Sequence, residues 1–271
     1  MADFTKRNII YSYDGTFEGF LCCVFESYAR KEIPYDIVSV KEAQTGLFEH
    51  FNIETEIKKA ERVKKSIPKA MGVEALQFLY DALLSCLAKK EMFMLEFVRI
   101  GYKEGAKIIN MLANDIVLTL TKAVKQLRHE AHKYTGFVRF SQHGDLLFST
   151  IEPKNSVLHI LALHFAQRLP CEKFVIYDKT HDMICAYAKG RYVISDASEV
   201  TMPEAGEEEQ KYRDLWKMFY DTIAIEGREN PKCRMTLMPK RYWNNLTEMQ
   251  PKKKNKTDTL SLDTNKISLP E

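Results

Sequence analysis

The chain has 271 residues, 45% of them hydrophobic, 11% aromatic and 28% charged, with a formal net charge of +3. That is ample material for a buried core. The composition excludes wholesale disorder, and the small net charge excludes any argument from global electrostatics. Six cysteines (Cys22, Cys23, Cys86, Cys171, Cys185, Cys233) include neither a CxxC pair nor a CxxxCxxC loop. A structural zinc site and a radical iron–sulfur cluster are therefore not expected, and no metal or cofactor is assigned to this chain.

In chain order, Asn8 to Tyr13 reads as a strand closed by Asp14-Gly15. Helical spacing of Phe17, Phe20, Leu21, Val24, Phe25 and Tyr28 follows, with Asp14 or Thr16 as its cap. Residues 54 to 132 read as almost wholly helical. One stripe runs Leu76, Leu79, Tyr80, Leu83, Leu84, Leu87, and a second runs Ile109, Leu112, Ile116, Leu120, Val124, Leu127. Such stripes mark core packing rather than a cofactor box.

The period then changes. Gly136–Phe140 and Leu146–Ile151 read as strands, the second following a His143-Gly144-Asp145 turn, and a helix is predicted over 155–169. Phe174–Tyr177, Met183–Tyr187 and Tyr192–Ile194 follow with short connections, one of them Lys189-Gly190, as in an antiparallel meander. An acidic stretch (Glu199, Glu204, Glu207, Glu208, Glu209, Asp214) leads into a helix through Leu215, Trp216, Phe219 and Tyr220. These elements predict an α+β fold in which an antiparallel sheet packs against a mainly helical layer. One domain is expected over 1–250, with a disordered polar tail over 251–271. The Met1-Ala2-Asp3 start has no secretory character and no apolar run approaches a membrane span, so a cytoplasmic protein without membrane contact is expected.

Three constellations can carry chemistry. On a helix, Lys125, Arg128, His129 and His132 share one face, with Lys133 beside them and Arg139 on a following strand. Such a face suits phosphate or carboxylate; it equally suits a helix end whose cations meet the negative pole of the dipole. His129 and His132 supply only half a metal site. His164, with His159 and Arg168, lies on the next helix and reads either as a satisfied core histidine or as a proton shuttle. The catalytic candidates are accordingly His129, His132 and His164.

The third constellation runs from Arg228 and Asn230 to Arg241, Tyr242 and Trp243. Over 228–254 eight cations face two anions. Cations interleaved with aromatic rings suit single-stranded nucleic acid, although a tryptophan can instead anchor a terminal helix. The nucleic-acid-binding candidates are Arg128, His132, Lys133, Arg139, Arg228, Asn230, Arg241, Tyr242 and Trp243. Walker, GxGxxG, GxSxG and zinc-deaminase patterns are absent.

Three of these segments together carry a family resemblance: Tyr13-Asp14-Gly15-Thr16-Phe17-Glu18-Gly19, the run from His129 to Lys133 and on to Arg139-Phe140, and Arg228–Pro231 with Pro239–Trp243. Over residues 8–250 the chain resembles the bacterial DNA-metabolism proteins whose domain is of unknown function. Members are encoded beside a radical S-adenosylmethionine (SAM) protein of DNA modification or repair, and in some relatives the domain is fused to a uracil-DNA glycosylase, a portion not expected in this chain. The resemblance implies an accessory protein that binds single-stranded or damaged DNA, the radical partner, or both. A nucleic-acid-processing enzyme with a His/Arg site and a pure protein-interaction scaffold are the alternatives.

Overall fold

The computed structural model describes residues 4–40, 48–197 and 206–250. The expected tail at 251–271 lies outside the described residues, as does the acidic stretch over 198–205. A short strand, β1 (Thr5–Lys6), precedes β2 (Ile9–Tyr13), where β-branched and aromatic side chains favour the pleat. Helix α1 (Phe17–Arg30) follows, with Thr16 as N-cap accepting from the Gly19 amide and Lys31 closing it in the left-handed region. The chain continues through β3 (Glu32–Ile33), β4 (Asp36–Ser39) and β5 (Glu49–Asn52). β2 pairs in parallel with both β4 and β5 and is the centre of a three-stranded sheet.

Four helices come next: α2 (Ile57–Met71), α3 (Val73–Leu84), α4 (Lys90–Glu104) and α5 (Asp115–Phe137). The second predicted stripe does not lie on one helix. Residues 105–110 form a tighter 3₁₀ turn and Leu112 is exposed, so only its part from Ile116 onward belongs to α5, whose cap is Asn114. Strands β6 (Ser141–His143) and β7 (Leu146–Ile151) make a hairpin with Gly144 at positive φ in the turn, but the strand predicted over 136–140 does not form, because α5 runs on to Phe137 and pairing begins only at Ser141. Arg139 is not on a strand: it lies in the connection between α5 and β6.

Helix α6 (Leu158–Arg168) leads to β8 (Lys173–Asp178), β9 (Met183–Ala188) and β10 (Arg191–Asp196). The five strands order as β10-β9-β8-β7-β6. The fold is α+β, as the sequence implies, but the sheet is mixed rather than wholly antiparallel. β6–β7, β8–β9 and β9–β10 are antiparallel, whereas β7 and β8 run parallel. The reason is α6, which returns the chain over the sheet before β8 begins, as a parallel connection requires. Helices α7 (Glu207–Ile223) and α8 (Pro231–Leu237) and three 3₁₀ turns (Glu226–Arg228, Lys240–Asn245 and Thr247–Met249) complete the described chain.

Two hydrophobic cores meet along α5. Its upper residues Val117, Leu120 and Val124 join Tyr11, Phe20, Ile37, Leu79 and Phe97 between the parallel sheet and α1–α4. Its lower residues Leu127, Ala131 and Tyr134 join Leu161, Phe165, Phe174, Ile176 and Tyr242 between α6 and the mixed sheet. The alternating three- and four-residue spacing keeps all six side chains on one stripe.

Candidate functional site

The predicted site residues separate into different local environments. Arg128 donates through Nε (2.8 Å) and Nη2 (2.6 Å) to Oδ2 of Asp81, a buried carboxylate on α3, so it fastens α5 to its neighbour. His129 and His132 are exposed on α5, and their side chains make no hydrogen bond or ion pair among the described residues; Lys133 beside them is half-buried. On α6, His164 lies edge-on to Phe165 at 4.9 Å with its Nε2 buried and unpaired. His159 meets the Tyr80 hydroxyl at 3.2 Å through Nδ1, and burial pushes its pKa down.

Arg241 is exposed, yet its guanidinium reaches a buried acid. Its Nη2 lies 2.9 Å from Oε1 of Glu130, a carboxylate only 3% exposed. Glu130 also accepts from the Lys154 and Asn155 amides, at 3.1 and 2.9 Å, and from the Asn155 side chain. Tyr242 is buried, with edge-on contact to Tyr134 and tilted contact to Phe137. Trp243 is half-buried against the second core and donates its indole N–H to the Met238 carbonyl at 3.0 Å. Of the two readings open for this tryptophan, its placement is that of an anchor. Asn230 caps α8 by accepting from the Cys233 amide, and with Arg228 it lines a cavity of about 750 Å³ at the end of α7.

Arg139 opens onto a different cavity, of about 480 Å³, which shares no lining residue with the first. Strand alternation builds its floor. Ile151, Phe174 and Ile176 point into the second core, leaving Phe148, Thr150 and Tyr177 for the opposite face of the sheet. His143 from β6, Lys179 after β8, Arg213 from α7, and Asn245 and Thr247 from the C-terminal turns form the walls. Each cation is held by a carboxylate. Arg139 grips Glu248 through Nη2 (2.7 Å) and Nε (3.3 Å), Arg213 bonds Glu209 (2.8 Å) and Ser141, and Lys179 reaches Glu152 at 3.5 Å. Burial works against the charge on Glu209, but Arg213, the Gln142 amide and Ser141 outweigh it and hold its carboxyl below the usual range. Of these carboxylates only Glu152 lines the cavity, so the groove presents three cations, a histidine and a tyrosine ring against one acid.

Lys179, Arg213 and Tyr177 were not singled out in the sequence. For Tyr177 a signal existed, since strict alternation in Phe174–Tyr177 puts it on the face opposite Phe174 and Ile176. Lys179 and Arg213 carry no local signal, because only the sheet and α7 bring them together. Among the described residues no group of three His, Cys, Asp or Glu is placed to hold a metal ion. His181 and the buried Asp178 approach to 2.7 Å, but Asp178 also caps its own turn by accepting from the Thr180 and His181 amides.

Residues 88–248 match the model of a domain of unknown function, DUF4130. The chain belongs to the DUF4130 family. No curated protein matches it. The DUF4130 segment takes in α4, α5, the mixed sheet, the Glu130–Arg241 joint and the whole groove except Gln250. The matched span is shorter than residues 8–250: the Tyr13–Gly19 opening, with the parallel sheet and α1–α3, lies before it. The His129–Phe140 and Arg228–Trp243 segments lie within the DUF4130 match. Among the described residues no helix is long and apolar enough to cross a membrane.

Proposed function

We propose that this chain is an accessory protein of a DNA repair or modification system, binding the backbone of single-stranded or damaged DNA in the groove between the mixed sheet and α7. The observation that carries this reading is the cluster of Arg139, Lys179 and Arg213 around the exposed sheet face of Tyr177 and Thr150, with His143 at its edge. Cations on a groove hold phosphates, and a tyrosine ring offers a stacking face to any base. Binding is favoured over catalysis because the histidine candidates do not converge. His129 and His132 face solvent on α5, His164 sits on α6, and none of them lines the groove.

The family resemblance supplies the context. The proteins this chain resembles, encoded beside a radical SAM protein and in some cases fused to a uracil-DNA glycosylase, support a role in DNA processing. In this reading the reaction belongs to the radical partner, in the cytoplasm, and this chain presents the DNA. The test is titration of a fluorescent single-stranded oligonucleotide at several salt concentrations, with the chain alone and with the neighbouring radical enzyme. Lys179→Ala should weaken binding evenly across sequences and reduce the salt slope by about one phosphate contact. Tyr177→Ala should weaken binding by roughly tenfold or more with the slope unchanged. Absence of salt-sensitive binding at low salt, with and without the partner, would overturn the DNA reading.

A further inference from the structure

Helices α1 and α2 leave between them a groove of about 620 Å³, to which α4 contributes Tyr102. Val24, Phe25 and Tyr28 of α1 and Val63 of α2 give it apolar and aromatic walls, and the exposed Arg62 borders it. Arg62 lies 5.2 Å over the Phe25 ring and has no carboxylate partner among the described residues. Helix α2 as a whole sets six basic residues against one acid, Glu61. Lys59, Lys64 and Lys65 are matched by Glu26 and Glu56, by Glu18 and by Glu61. Lys58 and Lys69 are exposed and unmatched among the described residues. Spacings of four, four and three residues put Lys58, Arg62, Ser66 and Lys69 on one side of the helix, the side that borders the groove. Helix stability does not account for Lys58, which lies in the first turn, where the dipole disfavours a cation. Nor do the acids of α1 and α4 cancel these charges. Glu18 is taken by Lys64, and Glu26 by Lys59 and Arg30. Glu91 is buried at Tyr13, Glu96 is held by Arg99 at 3.5 Å, and Glu104, at the end of α4, has exposed Lys103 beside it.

We infer that this groove seats an acidic amphipathic helix of a partner protein. Its apolar side chains would lie on Phe25, Tyr28, Val63 and Tyr102, with its carboxylates toward Lys58, Arg62 and Lys69. Helix-in-groove recognition takes apolar anchors three and four residues apart, and the charges beside the groove fix direction. Lys58 and Lys69 are about 16 Å apart along α2, the length of about three turns of such a helix. Nucleic acid fits less well, because the rings are committed to other partners. Arg62 and Lys59 both lie over Phe25, Tyr28 and Tyr102 pack edge-on at 5.4 Å, and the Tyr102 hydroxyl is bonded to Ser66. A lipid surface would need α2 to turn its apolar residues outward, but Ala60, Val63, Ile67 and Met71 are all buried. Within this chain α7 carries acids and exposed apolar residues, but seating it on α1 and α2 of a second copy is a head-to-tail contact without two-fold closure. The groove residues other than Tyr102 precede the DUF4130 span, and none of them lines the DNA groove, so this site stands apart from the DNA reading.

Fluorescence anisotropy on the full chain without DNA tests this, with a labelled peptide of about 16 residues that has Leu and Phe three and four residues apart and Glu elsewhere. The acidic peptide should bind, more weakly as salt rises. A peptide with Lys in place of Glu, and one of the same composition in scrambled order, should not. Arg62→Glu should weaken binding roughly tenfold and Lys69→Glu several-fold. Ala29→Trp, which fills the groove from an exposed position, should abolish it. Lys122→Glu, an exposed cation on α5 outside the groove, should leave it unchanged. Each variant should melt with wild type. No binding of the acidic peptide, equal binding of the lysine or scrambled peptide, or indifference to Arg62→Glu and Ala29→Trp would overturn the inference. So would binding of phosphatidylglycerol vesicles or of a single-stranded oligonucleotide that Ala29→Trp abolishes, or self-association that Arg62→Glu abolishes, since each gives the groove a different occupant.

Discussion

Arg139 and Glu248 join the end of α5 to the C-terminal turns across 109 residues of sequence, through two roughly parallel hydrogen bonds. The Trp216 indole adds a third donor to the same carboxylate at 3.0 Å, so one buried acid ties together three separate parts of the chain. Burial opposes the Glu248 charge, but Arg139, a backbone amide and Trp216 outweigh it, and its carboxyl lies below the usual glutamate range. A carboxylate with a depressed folded-state pKa contributes stability that is complete above the ordinary glutamate value. That stability is lost as the pH falls through the folded value. Glu248→Gln should cost roughly 1–3 kcal/mol at neutral pH. Chemical denaturation over a pH series should show the difference between wild type and variant shrinking as the medium is acidified below the ordinary glutamate range. A constant difference would mean that Glu248 acts by packing alone.

The opening motif has a steric explanation. A Cβ on Gly19 would lie 2.2 Å from Asp14 Oδ1 and 2.9 Å from Thr55 Oγ1. Asp14 accepts from the Thr16 amide and hydroxyl and from the Thr55 hydroxyl, folding the strand exit over the first turn of α1. Gly19→Ala should destabilise by roughly 1–3 kcal/mol, the usual range for forced overpacking. Combined with Asp14→Ala, the loss should be less than additive, because the displaced carboxylate is already gone. Urea melts of the two single variants and the double variant measure the coupling directly.

Trp243 and Arg241 should behave as structural residues. Trp243→Ala should cost roughly 2–4 kcal/mol of stability, below the range for a fully buried ring because this one is half-buried. Arg241→Ala leaves buried Glu130 without its cation, though three donors remain, and should cost roughly 2–4 kcal/mol. Oligonucleotide affinity of each folded variant should stay close to wild type. A salt slope reduced in Arg241→Ala with an unchanged melt would return that residue to the DNA surface.

The elements themselves were largely legible, since the Leu120–Val124–Leu127 stripe and the alternation of Phe174 and Ile176 are local patterns that burial alone produces. Two features were not. The parallel β7–β8 pair depends on which side α6 returns the chain, which no window of residues encodes. The partners of the charged candidates were equally hidden. Arg128, Arg139 and Arg241 read alike as surface cations, yet their carboxylates Asp81, Glu248 and Glu130 lie 47, 109 and 111 residues away. An arginine in the sequence announces its charge but not whether a distant acid has already claimed it. The apolar face of α7 was legible as a helix, but the pattern does not say which side of an amphipathic helix meets the molecule.

Helix α5 makes a last prediction possible, because the two cores are tied to the same rod. Leu120 is fully buried in the upper core and Leu127 in the lower, and two helical turns separate them. Loss of either core would expose one half of α5 and remove the packing that holds the other half helical, since an isolated helix of this length is marginal in water. The Arg128–Asp81 and Cys86–Asn155 contacts add polar links between the same two halves. Unfolding should therefore be a single cooperative transition. Trp243 packs against the lower core and Trp216 bonds Glu248 in the C-terminal turns, so their fluorescence reports that half, while far-ultraviolet circular dichroism is dominated by the helices of the upper half. Leu120→Ala and Leu127→Ala should each cost about 2–5 kcal/mol, and in each variant the two signals should shift together. If Leu120→Ala moved only the dichroism midpoint and Leu127→Ala only the fluorescence midpoint, the halves would be independent folding units and α5 merely their linker.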